Sequence, residues 1–190
     1  MNTLFPVFLK AEQMTILIVG GGNVGLEKLE ALLKNAPLTN IVLVAPEIKT
    51  EIVELQKTHR IELIYEPYHS AFLESKNIVI VGTDKPEVNK QVQIDCKSEG
   101  ILVNVADTPD LCDFYLGGVV TKGHVKIAIS TNGKSPTTAK RIRQFLEDVI
   151  PENINDLVQN LNEFRKSIKG DFEQKVEIMN EMTKEFIKKK

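Results

Sequence analysis

An apolar strand that runs directly into a glycine-rich turn is the feature of this sequence that most restricts its fold. The run Met14–Val19 is almost entirely apolar and β-branched, and Gly20-Gly21-Gly22-Asn23-Val24-Gly25 follows it. Leucines then recur with the spacing of one helix face, at Leu26, Leu29, Leu32 and Leu33. A buried strand, a tight turn and an amphipathic helix in this order predict the start of a β-α-β unit.

Four further apolar runs follow, and segments with helical periodicity separate them. The runs are Ile41–Val44, Ile61–Tyr65, Asn77–Val81 and Ile101–Val105. The helical segment before the last run has Val88, Val92 and Cys96 on one face and ends at Gly100, a residue typical of a helix C-terminus. Strands separated by helices of this length predict an α/β fold with a Rossmann-like, doubly wound parallel sheet.

The pattern changes after Asp113. The runs Tyr115–Val120 and His124–Ile129 flank a glycine-containing turn and predict a small antiparallel pair of strands. Ser135-Pro136 is typical of a helix N-cap with proline at the first helical position, and two more amphipathic helices complete the chain. We therefore expect a Rossmann-like domain, a hairpin with a helix, and a helical carboxy-terminal region, at residues 1–113, 114–150 and 151–190.

The composition is that of an ordinary globular domain and argues against several classes of protein. Of the 190 residues, 42% are hydrophobic and 26% charged, and the net charge of −2 gives no reason to expect nucleic acid as a partner. No apolar run reaches the roughly 20 residues of a membrane span, and no signal peptide is recognisable. Cys96 and Cys112 lack metal-ligand or redox-pair spacing, and two lone thiols predict a cytoplasmic protein. The three scattered histidines predict no metal site.

The glycine turn has the pattern G-x-G-x-x-G at Gly20, Gly22 and Gly25, in the strand–turn–helix context of a dinucleotide site. Gly20 would allow the tight turn, Gly22 would let the backbone approach a pyrophosphate, and Gly25 would let helix and strand pack closely. The phosphates would bind the N–H groups at the start of the helix. The alternative is a tight turn without a ligand. No Walker lysine follows the turn, so nucleoside-triphosphate hydrolysis is not predicted.

Residues after the second and fourth runs bear on the choice of cofactor. Ala45-Pro46 replaces the acidic residue that usually ends the second strand, but Glu47 follows about 20 residues past the turn and could reach a ribose hydroxyl. This favours NAD over NADP, although Lys49 could hold a 2′-phosphate. Thr83 could hydrogen-bond the dinucleotide from the end of the fourth run. Glu47 could instead be a first-turn helix carboxylate. Thr83 could be the N-cap of the following helix, a role that is compatible with binding the dinucleotide.

Several segments together resemble one family, the precorrin-2 dehydrogenase and sirohydrochlorin ferrochelatase module at the amino terminus of sirohaem synthases. The segments are Phe5–Leu9, Val19–Val24, Val44–Glu47, Thr83-Asp84 with Asn89, Asn104–Asp107, Leu111–Phe114 and Ala128–Pro136. Their order and spacing cover roughly residues 4–150, and the joint match is far more specific than the glycine turn alone. Gly117 stands where the family usually has proline, and Asn132 where it usually has glycine.

The resemblance implies NAD-dependent oxidation of precorrin-2 to sirohydrochlorin and, in some members, insertion of Fe²⁺ as a substrate metal to give sirohaem. It also implies a homodimer that binds a tetrapyrrole and forms its subunit contacts after the Rossmann-like domain. The catalytic aspartate of the family falls on Asp107, and its cofactor contacts fall on Asn23, Val24, Glu47 and Ile48. No methyltransferase sequence follows within the 190 residues, so we expect a free-standing module.

The residues themselves suggest how such chemistry would be divided. A carboxylate at the carboxyl end of a strand, facing a cofactor crevice, can act as a general base. Asp107 has this position, and Asp110 is the second candidate. Four residues before the next helix could offer donors and positive charge to the carboxylates of a tetrapyrrole, or could serve only as loop and capping residues. These are Ser130, Thr131, Lys134 and Ser135.

Two other functions fit parts of the sequence. A regulatory module that senses NAD(H) without catalysis would use the glycine turn and an oligomerising helical tail. It would leave Asn104–Phe114 and Ser130–Pro136 without a role. An NAD-dependent oxidoreductase for another small substrate would keep the cofactor site and differ in what it oxidises.

Overall fold

The computed structural model describes residues 2–184, and the five apolar runs form the five strands of one parallel sheet. The strands are β1 (Thr15–Val19), β2 (Asn40–Val44), β3 (Ile61–Ile64), β4 (Ile78–Val81) and β5 (Leu102–Val105). Their order across the sheet is β3-β2-β1-β4-β5, and each neighbouring pair runs parallel. The order reverses direction at β1, as in doubly wound sheets, so the predicted Rossmann-like fold is confirmed.

Three helices connect the strands of this sheet. They are α1 (Asn23–Asn35), α2 (Thr50–Gln56) and α3 (Pro86–Glu99). The end of α3 is as predicted, because Gly100 follows it with φ of 67°, a left-handed conformation in which glycine has no steric penalty. Short 3-10 turns occur at Ala11–Gln13, Ser70–Leu73 and Pro109–Leu111.

The core lies on both faces of the sheet, because successive side chains of a strand point to opposite faces and both faces are covered. One cluster includes Leu17, Val19, Val79, Val81, Val92 and Cys96. The other includes Ile16, Ile18, Leu29, Ile41, Ile52 and Ile80. Burial raises the pKa of the Cys96 thiol to about 12, so this cysteine stays protonated and packs as a small apolar residue.

Four strands of the sheet end level with one another. Val19 pairs with Val44 on one side and with Val81 on the other, and Val81 pairs with Val105. The segments that follow these four valines therefore leave the sheet along a single edge. The carboxyl edge of an open α/β sheet, at the point where strand order reverses, is where such folds bind ligands.

The chain divides into two compact units. The first comprises the residues up to Gly117 together with Ser130–Pro136, and the second comprises Gly118–Ile129 and the chain from Thr137 onward. The carboxy-terminal elements are β6 (Gly118–Lys122), β7 (Val125–Ile129), α4 (Pro136–Val149), α5 (Ile154–Ser167) and α6 (Phe172–Thr183). The three-part division at residues 113 and 150 stays a prediction, and residues 185–190 of its last part lie outside the described residues.

The antiparallel pair differs in detail from the expected hairpin. β6 begins at Gly118, not at Tyr115, and continues to Lys122, so the connection shortens to Gly123 and His124. Gly123 has φ of 57°, which a two-residue hairpin turn requires and glycine supplies. The His124 amide donates to Asn155 Oδ1 of α5 at 3.0 Å, which fixes the turn against that helix.

Truncation of a core leucine tests this packing. Leu29 on α1 is fully buried against the sheet. We expect Leu29→Ala to lower the free energy of unfolding by about 3 kcal/mol, because it leaves a cavity that the core cannot fill. Urea unfolding followed by circular dichroism measures the change. Leu38→Ala, at a site that is 55% exposed, is the control and should cost less than about 0.5 kcal/mol. Equal costs for the two variants would contradict the assigned core.

Candidate active site

The glycine turn between β1 and α1 is closed by contacts between backbones. A Cβ on Gly25 would lie 2.0 Å from the carbonyl oxygen of Gly20, and a Cβ on Gly20 would lie 2.6 Å from the carbonyl oxygen of Gly82. Gly20 also has φ of 121°, which other residues rarely adopt. Gly20 and Gly25 therefore cannot carry a side chain unless the turn moves.

Gly22 differs from these glycines because it faces open space. A Cβ at Gly22 would meet none of the described atoms beyond its chain neighbours within 4 Å, and its φ of −87° suits any residue. Gly22 is the N-cap of α1, and no side chain in the described part of the chain caps this helix end. The first amides of α1 are therefore available to an anion that approaches over Gly22. These features fit the pyrophosphate of a dinucleotide.

The segment after β2 packs directly on the glycine turn. A Cβ on Gly21 would lie 2.3 Å from the carbonyl oxygen of Glu47 and 2.9 Å from Cα of Ile48. The Lys49 amide donates to the Gly21 carbonyl at 3.0 Å, and Lys49 Nζ donates to Asn23 Oδ1 at 2.8 Å. Glu47 is exposed, and it precedes α2, so it is not a first-turn helix residue. Predicted cofactor residues from both sides of the crevice are thus brought together.

Thr83 lies two residues past β4, next to the glycine turn. Its Oγ1 donates to Asn89 Oδ1 at 2.5 Å and accepts the Lys85 amide at 3.1 Å. The N-cap of α3 is Lys85, so the alternative role of Thr83 as a helix cap is wrong. Thr83 instead fixes the turn between β4 and α3. Val24 contributes from the other side, since its Cγ1 would lie 3.1 Å from a Cβ on Gly82.

Asp107 lies two residues past β5, on the same edge of the sheet as the glycine turn. It is exposed and has φ of 55°, a conformation that aspartate tolerates better than most residues. Its carboxylate makes no hydrogen bond or ion pair with any residue in the range 2–184. Neighbouring strands are about 4.8 Å apart, so β5 and β1, which are separated by β4, lie about 10 Å apart.

The loop that carries Asp107 is fastened to β5 by residues that follow it. The Asp113 amide donates to the Val103 carbonyl at 2.8 Å, and Asp113 Oδ2 accepts the Val103 amide at 3.0 Å. The buried Asn104 side chain donates through Nδ2 to the Phe114 carbonyl at 2.7 Å. Sequence reasoning gave no role to these side chains. The available signal was Asn104 itself, a polar residue within an apolar strand.

Cys112 provides the third attachment of this loop. Its Sγ accepts the Val105 amide at 3.2 Å and donates to the Val105 carbonyl at 3.1 Å. Burial raises the pKa of the Cys112 thiol, so the sulfur keeps the proton that it donates. Cys112 therefore acts as a hydrogen-bonding residue as well as a partly buried apolar one. Asp110 lies on the exposed 3-10 turn of the same loop.

The four predicted substrate residues belong to the loop between β7 and α4. Thr131 Oγ1 donates to the Ser135 carbonyl at 3.0 Å and accepts the Ser135 amide at 3.2 Å, and Ser130 Oγ accepts the Asn132 amide at 3.1 Å. Asn132 has φ of 53°, which explains why asparagine can stand where the family usually has glycine. Lys134 is exposed. Substrate binding by this loop stays a prediction.

No group of three or more His, Cys, Asp or Glu side chains in residues 2–184 could hold a metal ion. No helix in the same range is long and apolar enough to span a membrane.

A parallel doubly wound sheet, a closed glycine turn and an uncapped helix start define a Rossmann-like dinucleotide-binding protein. Comparison with known families agrees. A family model described as "Putative NAD(P)-binding" matches residues 7–118, and a second, described as "Sirohaem biosynthesis protein central", matches residues 122–148. Because the first match covers more than half of the chain, the chain belongs to that NAD(P)-binding family.

Two siroheme synthases are similar to this chain over most of its length. The chain is 40% identical over 170 residues to a siroheme synthase of Psychrobacter arcticus, covering 90% of this chain and 30% of the relative. It is 36% identical over 167 residues to the siroheme synthase of Pseudoalteromonas translucida, covering 88% and 35%. The chain thus spans about a third of the length of these relatives. The resemblance to sirohaem synthases is confirmed.

A solved structure extends the similarity to almost the whole chain. It is described as SirC, precorrin-2 dehydrogenase, and is 26% identical in sequence. The TM-score is 0.75, and the match covers 94% of this chain and 89% of that one. The similarity therefore includes the carboxy-terminal elements as well as the parallel sheet.

Two glycine substitutions separate the structural and ligand-binding parts of the turn. We expect Gly25→Ala to destabilise the protein by at least about 2 kcal/mol, because the methyl group collides with the Gly20 carbonyl. Gly22→Ala should leave thermal stability almost unchanged, since its methyl group enters open space, but should weaken NADH binding about tenfold. Thermal unfolding and NADH fluorescence titration measure both effects. Unchanged NADH affinity in Gly22→Ala would contradict the assigned pyrophosphate position.

Proposed function

We propose that this chain catalyses the NAD-dependent dehydrogenation of precorrin-2 to sirohydrochlorin, a step of sirohaem biosynthesis. One observation carries the proposal: the open space over Gly22 and the unpaired carboxylate of Asp107 border the same edge of the sheet. A dehydrogenation needs a hydride acceptor and a route for a proton. A dinucleotide bound over Gly22 would accept the hydride, and Asp107 would accept the proton. The similarity to SirC along 94% of the chain supports the choice of substrate.

The protein would hold the cofactor through the glycine turn and the segments beside it. NAD, when bound, supplies the acceptor for the hydride. The amides at the start of α1 would bind the pyrophosphate, and the exposed carboxylate of Glu47 would accept a hydrogen bond from a ribose hydroxyl. Asn23, Val24 and Ile48 would shape this end of the crevice, and Thr83 would meet the cofactor from the end of β4.

Asp107 would accept the proton that the substrate loses during dehydrogenation. A general base must reach the substrate while staying free of protein partners that would occupy its oxygens. Asp107 is exposed, and the hydrogen bonds of Cys112, Asp113 and Phe114 to β5 hold its loop in place. The rigid loop would keep the carboxylate at a constant distance from the cofactor crevice. The tetrapyrrole carboxylates would be met by the loop of Ser130, Thr131, Lys134 and Ser135.

Fe²⁺ would be a second substrate, inserted into sirohydrochlorin. Metal insertion requires that the pyrrole nitrogens lose protons while the metal replaces them. The same exposed carboxylate of Asp107 would accept those protons one at a time and release each to solvent, and the tetrapyrrole itself would supply the nitrogen ligands of the metal. Dehydrogenation and metal insertion would then share one site.

We also propose that the chain forms a homodimer in the cytoplasm. Apolar side chains of the carboxy-terminal elements remain exposed, among them Phe145 and Val149 of α4 and Phe172 of α6. Exposed apolar surface of this kind is typical of subunit contacts. Cys96 and Cys112 are both unpaired, as suits a reducing compartment.

The direct test is anaerobic incubation of the protein with precorrin-2 and NAD, followed through NADH absorbance. We expect NADH and sirohydrochlorin to form together, and subsequent addition of Fe²⁺ to convert sirohydrochlorin to sirohaem. NAD binding without any NADH formation would favour the sensing module. NADH formation with another substrate that precorrin-2 cannot displace would favour a different oxidoreductase.

The catalytic assignment is tested by Asp107→Asn. Asparagine also tolerates the positive φ at this position, so the variant should fold and bind NADH within twofold of the wild type. We expect its turnover of precorrin-2 to fall at least about 100-fold, because the general base is lost. Asp110→Asn, on the same loop, is the matched control and should retain turnover within about twofold. A reversed order of the two effects would move the base to Asp110.

The oligomeric state has its own measurement. Sedimentation velocity of the purified chain should give a single species of about 43 kDa, twice the 21.3 kDa of one chain. A concentration-independent species at the mass of one chain would overturn the homodimer and leave the enzymatic proposal intact.

A further inference from the structure

Lys49 lies between the glycine turn and the segment after β2, where a Rossmann-like fold meets the adenosine end of its cofactor. Its amide donates to the Gly21 carbonyl at 3.0 Å, so its backbone is fixed against the turn. Its Nζ donates to Asn23 Oδ1 at 2.8 Å, at the first residue of α1. The side chain is 35% exposed. A cation is therefore held beside the open space over Gly22.

The charge of Lys49 is only partly balanced by the protein. Glu51 Oε1 lies 3.1 Å from Nζ, but the Glu51 side chain is 57% exposed. Such exposed pairs contribute little and are readily exchanged for a stronger partner. An ammonium group has three donors, so Nζ can keep its bond to Asn23 and still donate to a ligand. Lys49 is thus available to an incoming anion without giving up its position.

The chemistry of the position suggests which anion would bind. NAD and NADP differ only at the 2′ position of the adenosine ribose, which Rossmann-like sites read just after the second strand with a carboxylate or a cation. Here β2 ends in Val44, no acidic residue follows it immediately, and Glu47 and Lys49 stand on either side of Ile48. The segment therefore offers one carboxylate, that of Glu47, and one cation, the ammonium group of Lys49.

We infer that Lys49 is a specificity-determining residue that binds the 2′-phosphate, so that the site accepts NADP as well as NAD. Glu47 would serve the unphosphorylated ribose, and Lys49 the phosphorylated one. The inference rests on the proposed function only in taking the glycine turn as a dinucleotide site.

Direct binding measurements test this role. Fluorescence titrations with NADPH and with NADH give the ratio of their Kd values for the wild type and for variants. We expect Lys49→Met, which keeps the apolar stem and removes the charge, to raise the ratio of Kd for NADPH to Kd for NADH about tenfold. Lys49→Arg keeps the charge and should stay within about threefold of the wild-type ratio. Lys34→Met, an exposed lysine in the last turn of α1, is the control and should leave the ratio unchanged.

The dependence of the two Kd values on salt concentration provides a second measurement. The wild-type Kd for NADPH should rise more steeply with salt than the Kd for NADH, and this difference should disappear in Lys49→Met. Equal changes of both Kd values in Lys49→Met would show that Lys49 only positions the turn, and would overturn the inference. A wild type that binds NADH but not NADPH would also overturn it. Loss of precorrin-2 turnover with both dinucleotides bound would instead count against the proposed function alone.

Discussion

Close contact between backbones at Gly20 is the constraint on which the rest of the site depends. The Gly20 carbonyl lies against Gly25 of α1, and the Gly82 carbonyl at the end of β4 lies against Gly20 itself. Because these contacts leave no room for a Cβ on Gly20 or Gly25, the start of α1 can pack closely against the ends of β1 and β4. The first turn of α1 consequently lies directly at the sheet edge, where its free amides and the space over Gly22 are available to a ligand.

The site is assembled from separate loops that are each fixed by their own hydrogen bonds. Lys49 fastens the segment after β2 to the glycine turn, Thr83 fastens the segment after β4, and Asp113 fastens the loop after β5. The sheet places these loops level with one another through the pairing of its strand ends. Each group is thus held by local bonds on a rigid scaffold, as a preorganised site requires.

Much of this arrangement could be predicted from the sequence, and what could not be predicted has a common cause. Apolar runs and the glycine turn are local patterns, so they gave the sheet, its helices and the edge that carries Asp107. The bonds of Asn104 to Phe114 and of Cys112 to Val105 join residues seven to ten positions apart in an irregular loop, where no periodicity reports them. Thr83 shows the same limit. Its spacing suited a helix cap, but the helix begins later, at Pro86, and its N-cap is Lys85.

The attachment of Asp113 to β5 has a consequence for the outer border of the sheet. β5 is the last strand on its side, and an edge strand presents unpaired N–H and C=O groups on which a strand of another molecule can form. Both backbone groups of Val103 are occupied by Asp113, one through its amide and one through its carboxylate. The loop that carries Asp107 therefore also terminates the sheet, and its loss would expose a surface prone to intermolecular strand addition and aggregation.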